Sequence, residues 1–313
     1  MTELIRAAPS FRDALRRGGL VGDGGTGTEL HERGIALTDC FEAQNQSRPE
    51  LVRGIHDDFL RAGADVIATN TFGANAIRLA RHGREGDVRA LNQAGVRLAR
   101  SACVASAFAS ESASAPRVAY VAGCIGPTGF AFDREIGADR ARVRPAFRAQ
   151  AEALAAEGVD LLLIETMRHS QELLLALDAV HDVLGTAIPL IAQMSVGATA
   201  EMADGRSVVA MATELLDHGV DAIGINCATG PHDVAAAIET LLGLGVALTA
   251  SPNAGLPRRV GQRFVYSETP DSFGSFARRM FELGVCLVGG CCGATPEHVG
   301  KIAAAAAAAR HLG

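Results

Sequence analysis

Short apolar runs recur along the 313-residue chain, each closed by glycine or polar residues and followed by a longer stretch with apolar positions at helical spacing. They fall at 19–22, 65–69, 118–122, 160–164, 189–194, 222–225, 246–250 and 285–288. Strand then helix, eight times over with no break in composition, predicts an α/β fold, a single-domain (β/α)8 TIM barrel over residues 1–313. An open doubly wound sheet would share the alternation, but no G-x-G-x-x-G follows the first run. Helix ends agree with the register. Ser47-Arg48-Pro49-Glu50 reads as a capping box ahead of a helix with Leu51, Ile55, Phe59 and Leu60 on one face. Thr295-Pro296 reads as an N-cap with proline at the first helical position. The Ser/Ala stretch 101–114 reads as a helix running into a loop.

In such a barrel the chemistry gathers beyond the C-terminal ends of the strands. The residues expected there are DGGTGT at 23–28, TNTF at 69–72, GCIGP at 123–127, Glu165-Thr166, Asn226-Cys227, SPN at 251–253 and GGCCG at 289–293. Cys227 and the adjacent pair Cys291 and Cys292 therefore converge from the sixth and eighth strands. Three thiolates are soft ligands that suit Zn2+, and three protein ligands leave a fourth position open, as in a catalytic site. The flanking glycines permit the backbone angles that adjacent ligands need. Cys40, Cys103, Cys124 and Cys286 read instead as small core hydrophobes. Asp23 and Glu165 read either as an acid and base pair or as a grip on a cationic group, and Asp23 alone also as a turn residue. Asn226 and Asn253 read as residues that fix loops. His31, His56, His181, His218 and His298 fall in helical or loop stretches, which disfavours a histidine base or ligand.

Composition removes several function classes. A net charge of −6 offers no basic field for nucleic acid or an anionic membrane face. Lys301 is the only lysine and lies outside every strand end, so Schiff-base chemistry is excluded. With no Trp and two Tyr the chain is poor in rings for a trimethylammonium cage. Seven cysteines, an odd number, point to a reducing, cytoplasmic setting. The charged start MTELIRAAPS carries no apolar run of leader length, and the apolar stretch 303–309 is too short to span a bilayer. Rival readings of the strand ends are a phosphate site in the glycine-rich loops and a zinc-thiolate sensor without catalysis.

DGGTGTEL, AGADVIATNTFGAN, GCIGPTG, LLLIETM, GINCATG, PNAG and GGCCGATPEH, in this order, resemble the homocysteine S-methyltransferase family, including the homocysteine module of cobalamin-dependent methionine synthase. The resemblance covers nearly the whole chain. It implies Zn2+ on Cys227, Cys291 and Cys292, with the homocysteine sulfur as fourth ligand. It also implies Asp23 and Glu165 at the substrate's amino group, with backbone around Gly24, Gly25 and Thr71 near its amino-acid end. Asn226 is carried with this substrate-binding set. The implied enzyme is a thiol S-methyltransferase whose small-molecule partners are homocysteine and a methyl donor. S-methylmethionine or S-adenosylmethionine leads as donor, because the betaine branch carries an aromatic residue where this chain has Gly73. The alternatives are betaine, or a methylcorrinoid or methylfolate presented by a separate protein.

Overall fold

The computed structural model describes residues 9–109, 118–130, 138–261 and 263–310. The start of the chain at 1–8 and the low-complexity residues 110–114 lie outside them. Ten strands are present: β1 Leu20–Val21, β2 Val66–Ala68, β3 Tyr120–Ile125, β4 Leu161–Met167, β5 Leu190–Met194, β6 Ala222–Cys227, β7 Ala247–Pro252, β8 Arg258–Val260, β9 Arg263–Val265 and β10 Leu287–Val288. Eight of them pair in parallel in the order β1-β10-β7-β6-β5-β4-β3-β2. A parallel bridge between Gly22 and Val66, with Asp65 N–H donating to Val21 O at 2.7 Å, brings the two ends of the sheet together. The result is the (β/α)8 TIM barrel expected from the alternation.

Several strands outrun their apolar runs. β4 continues through Glu165 and Thr166, and β6 continues through Asn226 and Cys227, which pair with Ser251 and Pro252 of β7. Apolarity marks only the part of a strand that packs under helices; the polar tips keep their backbone pairing while their side chains face the cavity. The antiparallel β8–β9 hairpin is an insertion after β7 that the sequence analysis did not anticipate. β8 is charged and exposed and β9 is only three residues long, so no hydrophobic period announces the hairpin.

The bottom of the barrel is plugged by the helix Phe11–Arg17, whose Phe11, Ala14 and Leu15 join Leu20, Val66, Tyr120, Leu161, Ile191, Ala222 and Leu287 in one cluster. Phe11 meets the Tyr120 ring edge-on at 5.3 Å. Sealing this end leaves the C-terminal mouth as the open one.

The helix Pro49–Ala62 forms as expected and buries Val52, Ile55, His56, Phe59 and Leu60, but without the capping box. Its N-cap is Arg48 with no side-chain cap, while the Ser47 hydroxyl serves Ala43 O and Gln44 Oε1 in a preceding turn. Proline at the first position already removes one orphan donor and presets φ, which lessens the need for a cap. Lys301 pairs with Asp271 at 2.7 Å on the outer helices and does not line the cavity at the C-terminal ends of the strands. Among the described residues no helix is long and apolar enough to cross a membrane.

His56 is fully buried with neither ring nitrogen hydrogen-bonded, and burial pushes it down to about 4. The unfolded chain takes up this proton below pH about 6.5 while the folded chain resists it until about 4. The contribution to stability is therefore complete above 6.5 and falls by about 1.4 kcal/mol per pH unit below it. Denaturant titration at pH 7 and pH 5 is expected to show a drop about 2 kcal/mol smaller in His56→Leu than in wild type. Equal drops would mean that the ring is protonated in the fold.

Candidate metal and substrate site

The three cysteines do come together. Cys227 closes β6 and Cys291 and Cys292 follow β10, and their Sγ atoms all lie within 4.8 Å of one another. Around a tetrahedral zinc with Zn–S of about 2.3 Å, sulfurs stand about 3.8 Å apart, so the trio is within a small side-chain adjustment of a ligand set. Cys227 adopts φ 61° and Ala228 φ 53°, left-handed values that cost non-glycine residues about 1 kcal/mol or more each. The strain sits on Cys227 itself, whereas the sequence pointed to the glycines around the pair.

Those glycines act mainly by closeness. A Cβ on Gly289 would lie 3.1 Å from Gly22 Cα and 3.2 Å from Asp23 O. One on Gly293, at φ 79°, would press into the Tyr266 ring, 2.6 Å from Cδ2. The turn is stitched to its neighbours by Gly290 N–H to Asp23 O at 2.8 Å, Cys291 N–H to Pro252 O at 2.8 Å and Ala254 N–H to Cys292 O at 2.9 Å. Asn253 Oδ1 accepts the Cys292 N–H at 3.0 Å and its Nδ2 donates to Ala228 O at 2.8 Å, tying both thiol loops together. Hydrogen bonds from the Cys291 and Cys292 thiols push Cys227 down to about 3. The same interactions with Cys227 push Cys292 up to about 12 and Cys291 above the ordinary thiol range. Three thiols set this close are a donor set that fits a soft divalent cation able to displace their protons.

Two carboxylates face the same cavity. Glu165 accepts from the Cys124 thiol at 2.9 Å on Oε1 and from Asn226 Nδ2 at 2.8 Å on Oε2. Asp23 Oδ2 accepts the Ala68 N–H at 2.9 Å. Burial pushes both above the usual carboxylate range, and the charge of Glu165 pushes Asp23 further. No Arg or Lys pairs with either among the described residues.

Gly24 and Gly25 line the cavity and have no room for a side chain: a Cβ on Gly24 would lie 2.8 Å from Phe59 Cε1, and one on Gly25 2.8 Å from Cys291 O. Thr71 and Asn226 stand behind the wall. Thr71 Oγ1 donates to Cys124 O at 2.8 Å, bracing the tip of β3. Asn226 is fully buried and ties Glu165 to Thr166, with Oδ1 accepting the Thr166 N–H at 2.7 Å and Nδ2 reaching Thr166 Oγ1 at 2.8 Å. It also stands 3.9 Å from Cys291 Sγ. Asn226 links carboxylate and thiol as a loop-fixing residue.

The cavity measures about 780 Å3 and holds residues the sequence reading missed. Cys124, read as core filler, presents its thiol to Glu165. Phe41, Phe72, Phe264 and Tyr266 all line the space, so an aromatic-poor chain spends four of its rings here. Phe264 and Tyr266 come from the unforeseen hairpin and the segment after it. Cys40 and Cys103 are buried away from the cavity, as expected, and Cys286 lies at the opposite end of the barrel.

The sequence profile described as Homocysteine S-methyltransferase matches residues 20–306. The chain belongs to this family. It is 34% identical over 306 residues to methionine synthase of Mycobacterium tuberculosis, covering 94% of this chain and 25% of that protein. With methionine synthase of Mycobacterium leprae it shares 33% identity over 299 residues, 92% of this chain and 24% of the relative. The chain thus spans about a quarter of the length of these relatives. The metallated form of the homocysteine methyltransferase MmuM from Escherichia coli superposes with a TM-score of 0.75 at 27% identity, over 91% of this chain and 95% of that one. Its apo form gives 0.70 at the same coverage.

Gly293→Ala combines a left-handed φ with a Cβ in the Tyr266 ring. The substitution is expected to cost about 2 kcal/mol, lowering the thermal midpoint by several degrees in a melt followed by circular dichroism. An unchanged midpoint would mean that the turn and the ring are free to part.

Proposed function

We propose that this member of the homocysteine S-methyltransferase family, acting as one homocysteine-binding barrel over 1–313, moves a methyl group from an activated donor to homocysteine to give methionine. Its proposed setting is cytoplasmic. The observation that carries the reading is three thiols within 4.8 Å of one another in the same cavity as two carboxylates, Asp23 buried and Glu165 half-buried. Cys227, Cys291 and Cys292 would hold Zn2+, which supplies a Lewis-acid centre that keeps the substrate thiol deprotonated at neutral pH. Asp23 and Glu165 receive the substrate ammonium; it supplies the positive charge that two desolvated carboxylates lack. Gly24 and Gly25 let backbone approach the amino-acid end, and Asn226 and Thr71 hold the wall. In the transfer, the homocysteine sulfur forms a bond to the methyl carbon as the bond from that carbon to the donor breaks, its electron pair staying on the donor atom. The thiol proton is released beforehand.

A sulfonium donor is supported by the sign of the cavity, where Asp23, Glu29, Glu32, Glu42, Glu165 and Glu268 stand against Arg78 as the one Arg or Lys among the described lining residues. That balance also disfavours a phosphate site. The four rings mean that scarcity of aromatics no longer argues against betaine, but Gly73 does. A Cβ there would lie 2.6 Å from both Arg78 Cδ and Glu42 Oε1, so an aromatic side chain has no room. A second reading, methyl delivery by a separate protein, draws support from Leu37, Val260 and Val265, exposed apolar residues of which Leu37 and Val265 line the mouth and Val260 shares the hairpin.

The test is metal analysis under reducing conditions with a donor panel, reading methionine by mass. Wild type is expected to bind one zinc per chain and Cys227→Ser or Cys292→Ala to lose both zinc and transfer. Glu165→Ala is expected to keep zinc and raise the KM for homocysteine by about 10-fold or more, as for a lost charged contact. A Glu165→Ala protein without zinc would put that side chain among the metal ligands instead. Transfer from sulfonium donors without any added protein separates the first reading from the second.

A further inference from the structure

Arg78 stands out among the described arginines of this protein because it is the one that lines the cavity. Arg12, Arg33, Arg84, Arg97 and Arg100 each reach a carboxylate within 3 Å. The guanidinium of Arg78 has no ion pair or hydrogen bond among the described residues; it lies over the Phe72 ring at 5.2 Å. Glu42, across Gly73 from it, is engaged elsewhere, with Oε1 accepting the Gly73 N–H at 2.6 Å and Oε2 facing the Cys40 thiol at 3.5 Å. Glu172, which feels the charge of Arg78, has its Oε1 taken by the Thr128 N–H at 2.7 Å and hydroxyl at 2.6 Å. The arginine is held from both ends. Its backbone N–H is capped by Asn75 Oδ1 at 3.0 Å, and its side chain lies in the space Gly73 leaves, where a Cβ would come within 2.6 Å of Cδ and 2.7 Å of Nε. Both Arg78 and Phe72 line the cavity that contains the thiols.

A guanidinium fixed on a ring face keeps its planar fork free for two parallel hydrogen bonds, the geometry that a carboxylate matches. In the reading above homocysteine's ammonium goes to Asp23 and Glu165 and its amino-acid end lies against the backbone at Gly24 and Gly25, and the cavity of about 780 Å3 has room for a second small molecule. We propose that Arg78, laid on Phe72, anchors the carboxylate of the methyl donor, which makes the donor an amino-acid sulfonium rather than a bare cation. This rests on the methyl-transfer reading above and gives its donor a recognised end. The sulfonium faces the acidic side of the cavity while the carboxylate is taken by its single arginine.

The test is calorimetric titration of the zinc-loaded protein with S-methylmethionine and with its methyl ester, in wild type, Arg78→Met and Arg78→Lys, with homocysteine titrated in parallel. Wild type is expected to prefer the free acid by roughly 10- to 100-fold, the effect of one charge-assisted contact. Arg78→Met is expected to lose that preference and Arg78→Lys to keep part of it, with homocysteine affinity unchanged in both, which also shows that the variants are folded. Equal binding of acid and ester by wild type overturns the anchor, as does a preference that survives in Arg78→Met. So does weakened homocysteine binding with unchanged donor binding, which would assign Arg78 to the acceptor. Binding needs no turnover. A preference lost in Arg78→Met in a protein that makes no methionine from any donor would uphold the anchor and sink the reaction.

Discussion

Negative charge gathered in a place with little water has to be met by positive charge, and the architecture of the cavity follows from that demand. Asp23 and Glu165 are pushed up by burial, and three thiols stand together a short distance away. Left alone, such a site keeps protons it would give up in water. A metal cation at the sulfurs and an ammonium at the carboxylates are the proposed relief, and each would enter by releasing protons. Asn226, touching Glu165 on one side and standing 3.9 Å from Cys291 Sγ on the other, joins the two halves mechanically.

Holding such groups together requires backbone that has nowhere to relax. Thr166, Cys227 and Ala228 are all left-handed without being glycine, and all lie at or just beyond the tips of β4 and β6. The surrounding barrel over-determines them: Cys227 still pairs with Pro252, and Asn253 is bonded to both thiol loops. Around the Cys291–Cys292 turn the glycines serve close approach more than conformational freedom. Gly289 lies against Gly22, and Gly293 lies under Tyr266, so the thiols of β10 are brought to β6 by contacts that a single methyl group would block.

The proposed acceptor and donor ends of the cavity are built from different parts of the fold. Strand tips supply thiols and carboxylates, and rigid strands suit groups that must be placed to a fraction of an ångström. Arg78 comes from the short helix Ala76–Leu79, and Phe72, Phe264 and Tyr266 come from the loops and hairpin around the mouth. Such insertions are where barrels vary while their strands stay the same.

The eight strands and the trio of thiols were legible in the chain itself, because period and strand-end position are local properties of a sequence read against one architecture. So was the exclusion of lysine chemistry, since Lys301 is the only candidate. The β8–β9 hairpin was not legible, as two strands of three residues each are too short to carry a hydrophobic period. Nor was the left-handed turn at Cys227, which neighbouring strands impose and no residue type announces. Cys124 shows the limit most plainly: by type and burial it is a core residue, and only the pairing of β3 with β4 turns its thiol toward Glu165. What a residue is, and where along a strand it stands, is written in order along the chain. Which charges it meets depends on strands 40 or more residues away, and only closing the barrel brings those together.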